Sequence, residues 1–243
     1  VYFKNILVAP SDCEPGKGMT LAALLNRLQD AAGEAAEELG ASVPRLLAEG
    51  FTWMLVKYRL RAGRMPLPGE DLRLATWHFP HGRLYSLRAF ELTSGETRLV
   101  RADSCWVLVD LGRRKPVHIG KVLPSLFQAE NPPIPFEFEK VESCGSGPWS
   151  ASLQVEDPDI DENGHVNHIR YLEWATEALP AGWRQDKAFR GFDAEFHGEG
   201  RSGERLEIFA RAEPSETGGH ACLHGILRPS DGAELFRMRT VWE

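Results

Sequence analysis

Residues 159–180 read DIDENGHVNHIRYLEWATEALP. The first half sets Asp161, Asn163 and His165 at alternate positions beside Gly164, and the second half spaces Ile169, Leu172, Ala175 and Leu179 as one apolar helical face. Three side chains able to move protons, orient water or stabilise negative charge thus arrive together at a helix start.

Outward from this stretch, the second half of the chain reads as strand at 150–156, 188–197, 205–213, 221–228 and 234–242. The first half follows the same recipe. An apolar strand at 2–10 and a polar break at 11–18 precede a helix from Leu21, with Leu24, Leu25, Leu28, Ala31, Ala32 and Ala35 on one face. Pro44 and Gly50 bracket a short second helix at 44–49. Strands at 51–60, 71–79, 84–92 and 97–110 follow, separated by turns such as His81-Gly82 and Ser94-Gly95. A short helix over 119–129 lies before the run Asn131-Pro132-Pro133-Ile134-Pro135, which breaks helix and sheet and sets a domain boundary near 130, giving domains 1–130 and 131–243.

The duplication can be aligned by placing residues 13–17 over 161–165, an offset of 148 (161 minus 13), so that Gly16 meets Gly164. Gly69-Glu70 then matches Gly203-Glu204 at an offset of 134 (203 minus 69), which sets Met65 opposite Glu199. On that alignment Asp161, Asn163, His165 and Glu199 stand where the first half has Cys13, Pro15, Lys17 and Met65. A single active site would therefore lie in the second half. The repeated plan of strand, helix and antiparallel strands predicts an α+β chain with a sheet wrapped around a helix in each half.

Composition narrows the function. The 243 residues are 42% hydrophobic and 26% charged, as in globular proteins, and the net charge of -7 argues against a general nucleic-acid binder. No apolar run approaches the ~20 residues that cross a bilayer, so no membrane insertion is expected. Val1 suggests that a start methionine was removed. Cys13, Cys105, Cys144 and Cys222 are scattered without a CxxC pair, which signals neither zinc nor a disulfide framework and fits a cytoplasmic protein. His165 and His168 lack a third histidine, so no metal is assigned.

Asp161-x-Asn163-x-His165-Val166-Asn167, followed by Tyr171, Trp174 and Glu177, resembles the signature segment of the plant and bacterial acyl-ACP thioesterases. So do residues 21–33 (LAALLNRLQDAAG), the Thr52-Trp53 pair and the strand ending Trp106-Val107-Leu108-Val109-Asp110, so that the resemblance covers nearly the whole chain. It implies two tandem hotdog domains, the first holding the fatty chain and the second carrying catalysis. It also implies hydrolysis of fatty acyl-ACP to free fatty acid and carrier, with no cofactor. The partner is then acyl carrier protein, and the chain a monomer or homodimer.

Thioester hydrolysis needs an activated water or nucleophile and donors for the oxyanion. Glu199 is the candidate base or nucleophile, Asp161 and His165 orient and polarise it, and Asn163 binds the carbonyl oxygen or positions water. Backbone N–H groups of Val166 and Asn167, at the helix start, are candidate oxyanion donors. In the resembling plant enzymes a cysteine follows that glutamate; Gly200 stands here, which directs the chemistry to the carboxylate. Met19, Leu24, Leu28 and Trp53 are candidates for the acyl tunnel. Basic clusters at Lys57/Arg59/Arg61/Arg64, at 113–115 and at Arg184/Lys187/Arg190 are candidates for carrier docking. The rival functions are an acyl-CoA thioesterase and a non-catalytic acyl- or carrier-binding protein. Taken singly, an Asp or Asn before a helix is an ordinary cap, and only the combination points to catalysis.

Overall fold

The computed structural model describes residues 1–127, 130–214 and 219–243. It divides into two compact units, Val1–Glu137 and Phe138–Glu243. In both, period-two alternation of apolar residues builds an antiparallel sheet, and a helix with one apolar face covers it.

In the first unit, strand β1 (Tyr2–Leu7) leads through the two-residue strands β2 (Cys13–Glu14) and β3 (Gly18–Met19) into helix α1 (Leu21–Glu38). Thr20 caps α1, its Oγ1 accepting from the Ala23 amide at 3.1 Å. At the other end Gly40, at φ +67°, allows the Gly40 and Ala41 amides to reach back to the Glu37 and Ala36 carbonyls at 2.9 and 2.8 Å. Leu24, Leu25, Leu28, Ala31 and Ala35 are buried on one face, while Ala32 is only half-buried. Helix α2 (Val43–Ala48) precedes the long strands β4 (Phe51–Ala62), β5 (Asp71–His81), β6 (Tyr85–Ser94) and β7 (Thr97–Asp110), with β8 (Lys115–Pro116) pairing β7. The sheet order is β1-β5-β6-β7-β4. Because Leu28 is fully buried, Leu28→Ala is expected to lower stability by about 2–5 kcal/mol, read as a lower urea midpoint.

The helix expected over 119–129 is in fact two pieces, α3 (Ile119–Val122) and a 3-10 turn at Pro124–Phe127. Pro124 carries no amide to continue α3 and drives Leu123 out of the helical region, to φ -126°, ψ 69°. Residues 128–129 of that expected helix lie outside the described residues. These pieces and α2 close over a small apolar cluster of Leu46, Leu108, Ile119, Leu123 and Leu126.

In the second unit, β9 (Trp149–Gln154) and a 3-10 turn at Asp157–Asp159 lead to α4 (His168–Glu177) and α5 (Ala181–Arg184). Strands β10 (Phe189–Phe196), β11 (Arg205–Glu213), β12 (His220–Arg228) and β13 (Ala233–Trp242) complete a sheet of order β10-β13-β12-β11-β9. Helix α4 buries Ile169, Tyr171, Leu172, Trp174 and Ala175. The Tyr171 ring packs against Trp174, Phe196 and Phe236, with centroids 5.7 to 6.2 Å apart. A sheet with a helix across one face, made twice, is the α+β tandem hotdog plan.

Among the titratable groups buried in the second sheet is His224, which is fully buried with Nε2 2.9 Å from Thr240 Oγ1. Burial pushes its pKa from 6.5 down to about 4. The unfolded chain then binds the extra proton between those values, so this contribution to stability is complete above pH 6.5 and is lost as pH falls toward 4. Urea midpoints are expected to drop between pH 7 and pH 4.5, and to drop less in His224→Gln; equal slopes would remove His224 from the account.

Candidate active site

The duplication can be read bond by bond. In the first unit Val8 exchanges hydrogen bonds with Gly69 and Glu70 at 2.9 and 3.0 Å, and in the second Val155 does so with Gly203 and Glu204 at 2.9 Å each. The Thr20 amide donates to the Asp12 carbonyl at 2.8 Å, as Asn167 does to Asp159 at 2.8 Å. Met19 donates to the Pro66 carbonyl at 2.7 Å, and Val166 to that of Gly200 at 3.0 Å. These equivalences fix the loop before the helix at an offset of 147 (167 minus 20), which corrects the expected 148 by one residue.

The slip has a physical cause. Gly16 is the third residue of a turn closed by Lys17 N–H to the Glu14 carbonyl, whereas Gly164 is itself the closing donor to Asp161. Both glycines have positive φ, +75° and +76°, but at different steps of their turns. Asp161, Asn163 and His165 therefore stand over Glu14, Gly16 and Gly18. Met65 remains opposite Glu199, since the later offset of 134 (203 minus 69) holds. A Cβ at Gly18 would lie 2.5 Å from the Pro66 carbonyl oxygen, so the first copy has no room for an imidazole there.

In the second copy the loop is a narrow ribbon. The Asp161 amide donates to the His165 carbonyl at 2.9 Å, and Ile160 bridges Val166. Asp161 Oδ1 accepts from the Asn163 amide at 2.8 Å, an Asx-type turn that fixes the Asn163 backbone. Asp161 thus shapes the loop; among the described residues, the ionisable side chain set against the Glu199 carboxylate is His165. His165 Nε2 lies 3.2 Å from Glu199 Oε2, with side-chain exposures of 25% and 33%, so the pair is held yet open to solvent. The two residues are brought together because the Val166 amide binds the Gly200 carbonyl, while Arg228 Nη1 donates to the Glu199 carbonyl at 3.2 Å.

That geometry corrects one expectation. The Val166 and Asn167 amides already donate to the Gly200 and Asp159 carbonyls, so neither is open to an oxyanion in this structure. The helix starts at His168, and Asn167 serves as its cap, Oδ1 accepting from the Ile169 amide at 3.0 Å.

Two supports escaped the sequence reading. Asp159, 6% exposed, accepts from Arg170 Nη2 and Nε at 2.6 and 2.7 Å and from the Glu156 amide at 2.9 Å, tying the loop to α4. The signal available was the capping-box spacing of Glu156 and Asp159. The buried Gly200 amide donates to Tyr171 Oη at 2.6 Å. Tyr171 was visible in the motif, but its partner 29 residues away was not.

The tunnel candidates separate. Leu24 and Leu28 are fully buried on the apolar face of α1 and Met19 is 3% exposed, whereas Trp53 belongs to the α2 cluster and donates from Nε1 to the Ala41 carbonyl at 2.9 Å. Thiol chemistry has no support. Cys105 and Cys222 are buried and burial pushes both pKa values up to about 12. Among the basic clusters, Arg59 is paired with Asp103 at 3.1 Å, Arg64 with Glu70 at 2.6 Å and Arg190 with Glu243 at 2.8 Å. By contrast Arg113 is 82% exposed, 3.8 Å from Asp110, in a run with the exposed Arg114 and Lys115.

Two helix-covered sheets, one of them bearing a His–Glu pair on a duplicated loop, define a protein of tandem hotdog type. Residues 1–125 match the acyl-ACP thioesterase N-terminal domain and residues 148–243 the acyl-ACP thioesterase C-terminal domain. The chain belongs to the acyl-ACP thioesterase family. An acyl-[acyl-carrier-protein] hydrolase of Cuphea viscosissima is 23% identical over 240 residues, covering 90% of this chain and 56% of the relative. A palmitoyl-acyl carrier protein thioesterase of Gossypium hirsutum is 24% identical over 264 residues, covering all of this chain and 63% of the relative. The chain therefore spans about three fifths of these curated plant relatives. The crystal structure of an acyl-ACP thioesterase from Bacteroides thetaiotaomicron superposes with a TM-score of 0.84 at 25% identity, covering 99% of this chain and 97% of that one. No helix among the described residues is long and apolar enough to cross a membrane.

Proposed function

We propose that this chain hydrolyses the thioester of fatty acyl-ACP, releasing free fatty acid and the carrier thiol. The observation that carries the reading is the His165–Glu199 contact of 3.2 Å, in the half of a family member whose other half has Gly18 and Met65 at the equivalent positions. Glu199 takes a proton from water, whose oxygen attacks the carbonyl carbon. The carbonyl electrons move onto oxygen, received by the Asn163 side-chain amide. When the oxyanion collapses, the C–S bond breaks and the sulfur leaves with the proton that Glu199 and His165 held between them. Asp161 acts by holding the Asn163 backbone. The first domain receives the acyl chain, and the four unpaired cysteines suit a cytoplasmic setting.

Acyl-ACPs of graded chain length, each beside the matched acyl-CoA, test the reading through release of free fatty acid. Faster turnover on the carrier-protein substrates is expected, and a clear preference for CoA would replace acyl-ACP as the substrate. The carrier is acidic, and residues 113–115 are the least compensated basic cluster, so docking is assigned there. Reversing Arg114 and Lys115 to glutamate is expected to raise KM for acyl-ACP about tenfold at unchanged kcat, and to abolish most of its salt dependence. An unchanged KM would move the docking surface elsewhere.

A further inference from the structure

One row of the first domain's sheet does not suit a purely hydrocarbon chain. Cross-strand partners share a face, and the pairs His78↔Arg88, Arg88↔Ser104 and Ser104↔Tyr58 place four polar side chains in line across β5, β6, β7 and β4. The neighbouring row on the same face is Thr76, Phe90, Ala102 and Leu60, and beyond it lie Leu74, Leu92 and Val100, all buried. This is the inward face, since Asp71 and Arg73, which alternate with the buried Leu72 and Leu74, are exposed.

Most of the polar row is already satisfied. His78, 3% exposed, donates from Nε2 to the Leu126 carbonyl at 2.9 Å, and burial lowers its pKa, so it is neutral. Ser104 accepts from Trp106 Nε1 at 2.8 Å and donates to the Arg88 carbonyl at 3.4 Å. Arg88 differs. Among the described residues its guanidinium has one recorded hydrogen bond, a long one from Nη1 to Thr76 Oγ1 at 3.3 Å, and no ion pair. Burial pushes its pKa down to about 10, which leaves it charged at neutral pH. Its row neighbours are 0–3% exposed, and Arg88 itself is half-buried among them. A guanidinium offers five donors in a fork that fits a carboxylate, and an interior cation without a counter-charge is costly to keep.

We propose that Arg88 receives a carboxylate at the end of the acyl group remote from the thioester, so that the preferred substrates are carboxyl-terminated acyl groups. The proposal rests on the reading above, in which the first domain receives the acyl chain of a thioester substrate.

The test compares three acyl-ACPs of one chain length, ending in methyl, hydroxyl or carboxyl, with the wild type, Arg88→Met and Arg88→Lys, all checked for unchanged melting temperature. The expected result is a wild-type kcat/KM highest for the carboxyl-ended chain. Arg88→Met lowers the carboxyl-to-methyl ratio by about 10- to 100-fold, as loss of a charge-assisted pair implies, and Arg88→Lys keeps part of the preference. A wild type that favours the methyl-ended chain, or treats hydroxyl and carboxyl alike, overturns the proposal while leaving the thioesterase reading intact. Hydrolysis of none of the three overturns both. Should Arg88→Met fail to fold, Arg88→Lys and the wild-type ranking still decide.

Discussion

His165→Ala is expected to lower kcat for acyl-ACP hydrolysis by about 10²- to 10⁴-fold, the range for loss of a positioned proton-transfer partner. Its melting temperature should stay near that of the wild type, because the side chain is 25% exposed and its recorded ion-pair partner is Glu199, a contact of the kind that contributes at most about 1 kcal/mol. The double variant with Glu199→Ala separates a working pair from two independent residues. If His165 and Glu199 share one proton inventory, the double loses little more than either single. Losses that multiply would mean that the two side chains act on different steps, and the 3.2 Å contact would then be incidental. In the first copy a side chain at Gly18 would run into the Pro66 carbonyl, so the proposed pair has room for its imidazole in the second copy and not in the first.

The second large effect is expected at Tyr171→Phe. Tyr171 is 2% exposed and its hydroxyl accepts the Gly200 amide at 2.6 Å; without it a buried N–H loses its partner, at a cost of about 1–3 kcal/mol. Melting should fall by about 2–4 °C for each kcal/mol in a chain of this size. Because Glu199 immediately precedes that amide, kcat should fall as well, by about tenfold at little change in KM. The packing that makes this contact also explains the glycine: a Cβ at position 200 would stand 3.0 Å from Tyr171 Oη and 3.1 Å from Val166 Cγ2. Gly200→Cys should accordingly lower stability and supply no working thiol. A Tyr171→Phe variant with wild-type melting and kcat would show that the hydroxyl does not position Glu199.

Much of the architecture was legible because its signals are local. The strands expected at 97–110 and 205–213 are the observed Thr97–Asp110 and Arg205–Glu213, since tight turns and β-branched or aromatic residues mark both ends. Helix α1 announces itself by leucines and alanines on one face. The features that could not be read depend on partners distant in the chain. The Val166 and Asn167 amides look unpaired from the sequence, yet the Gly200 and Asp159 carbonyls take them. The duplicated loop was misaligned by one residue because two glycines were equated by identity, whereas hydrogen bonding sets the true register. Arg88 sits between Leu87 and Ala89, both fully buried on the opposite face, and alternation fails to show which face is interior when both are covered.

The most direct test of the central claim, that the second copy alone carries catalysis through Glu199, exchanges the residues that distinguish the copies. Glu199→Met installs the residue found at the equivalent position 65, at a side chain 33% exposed and so with little expected cost to folding. With an acyl-ACP that the wild type hydrolyses, the predicted result is loss of at least about 10²-fold in kcat at an unchanged melting temperature. Wild-type turnover by Glu199→Met would contradict the account and place the reacting carboxylate elsewhere.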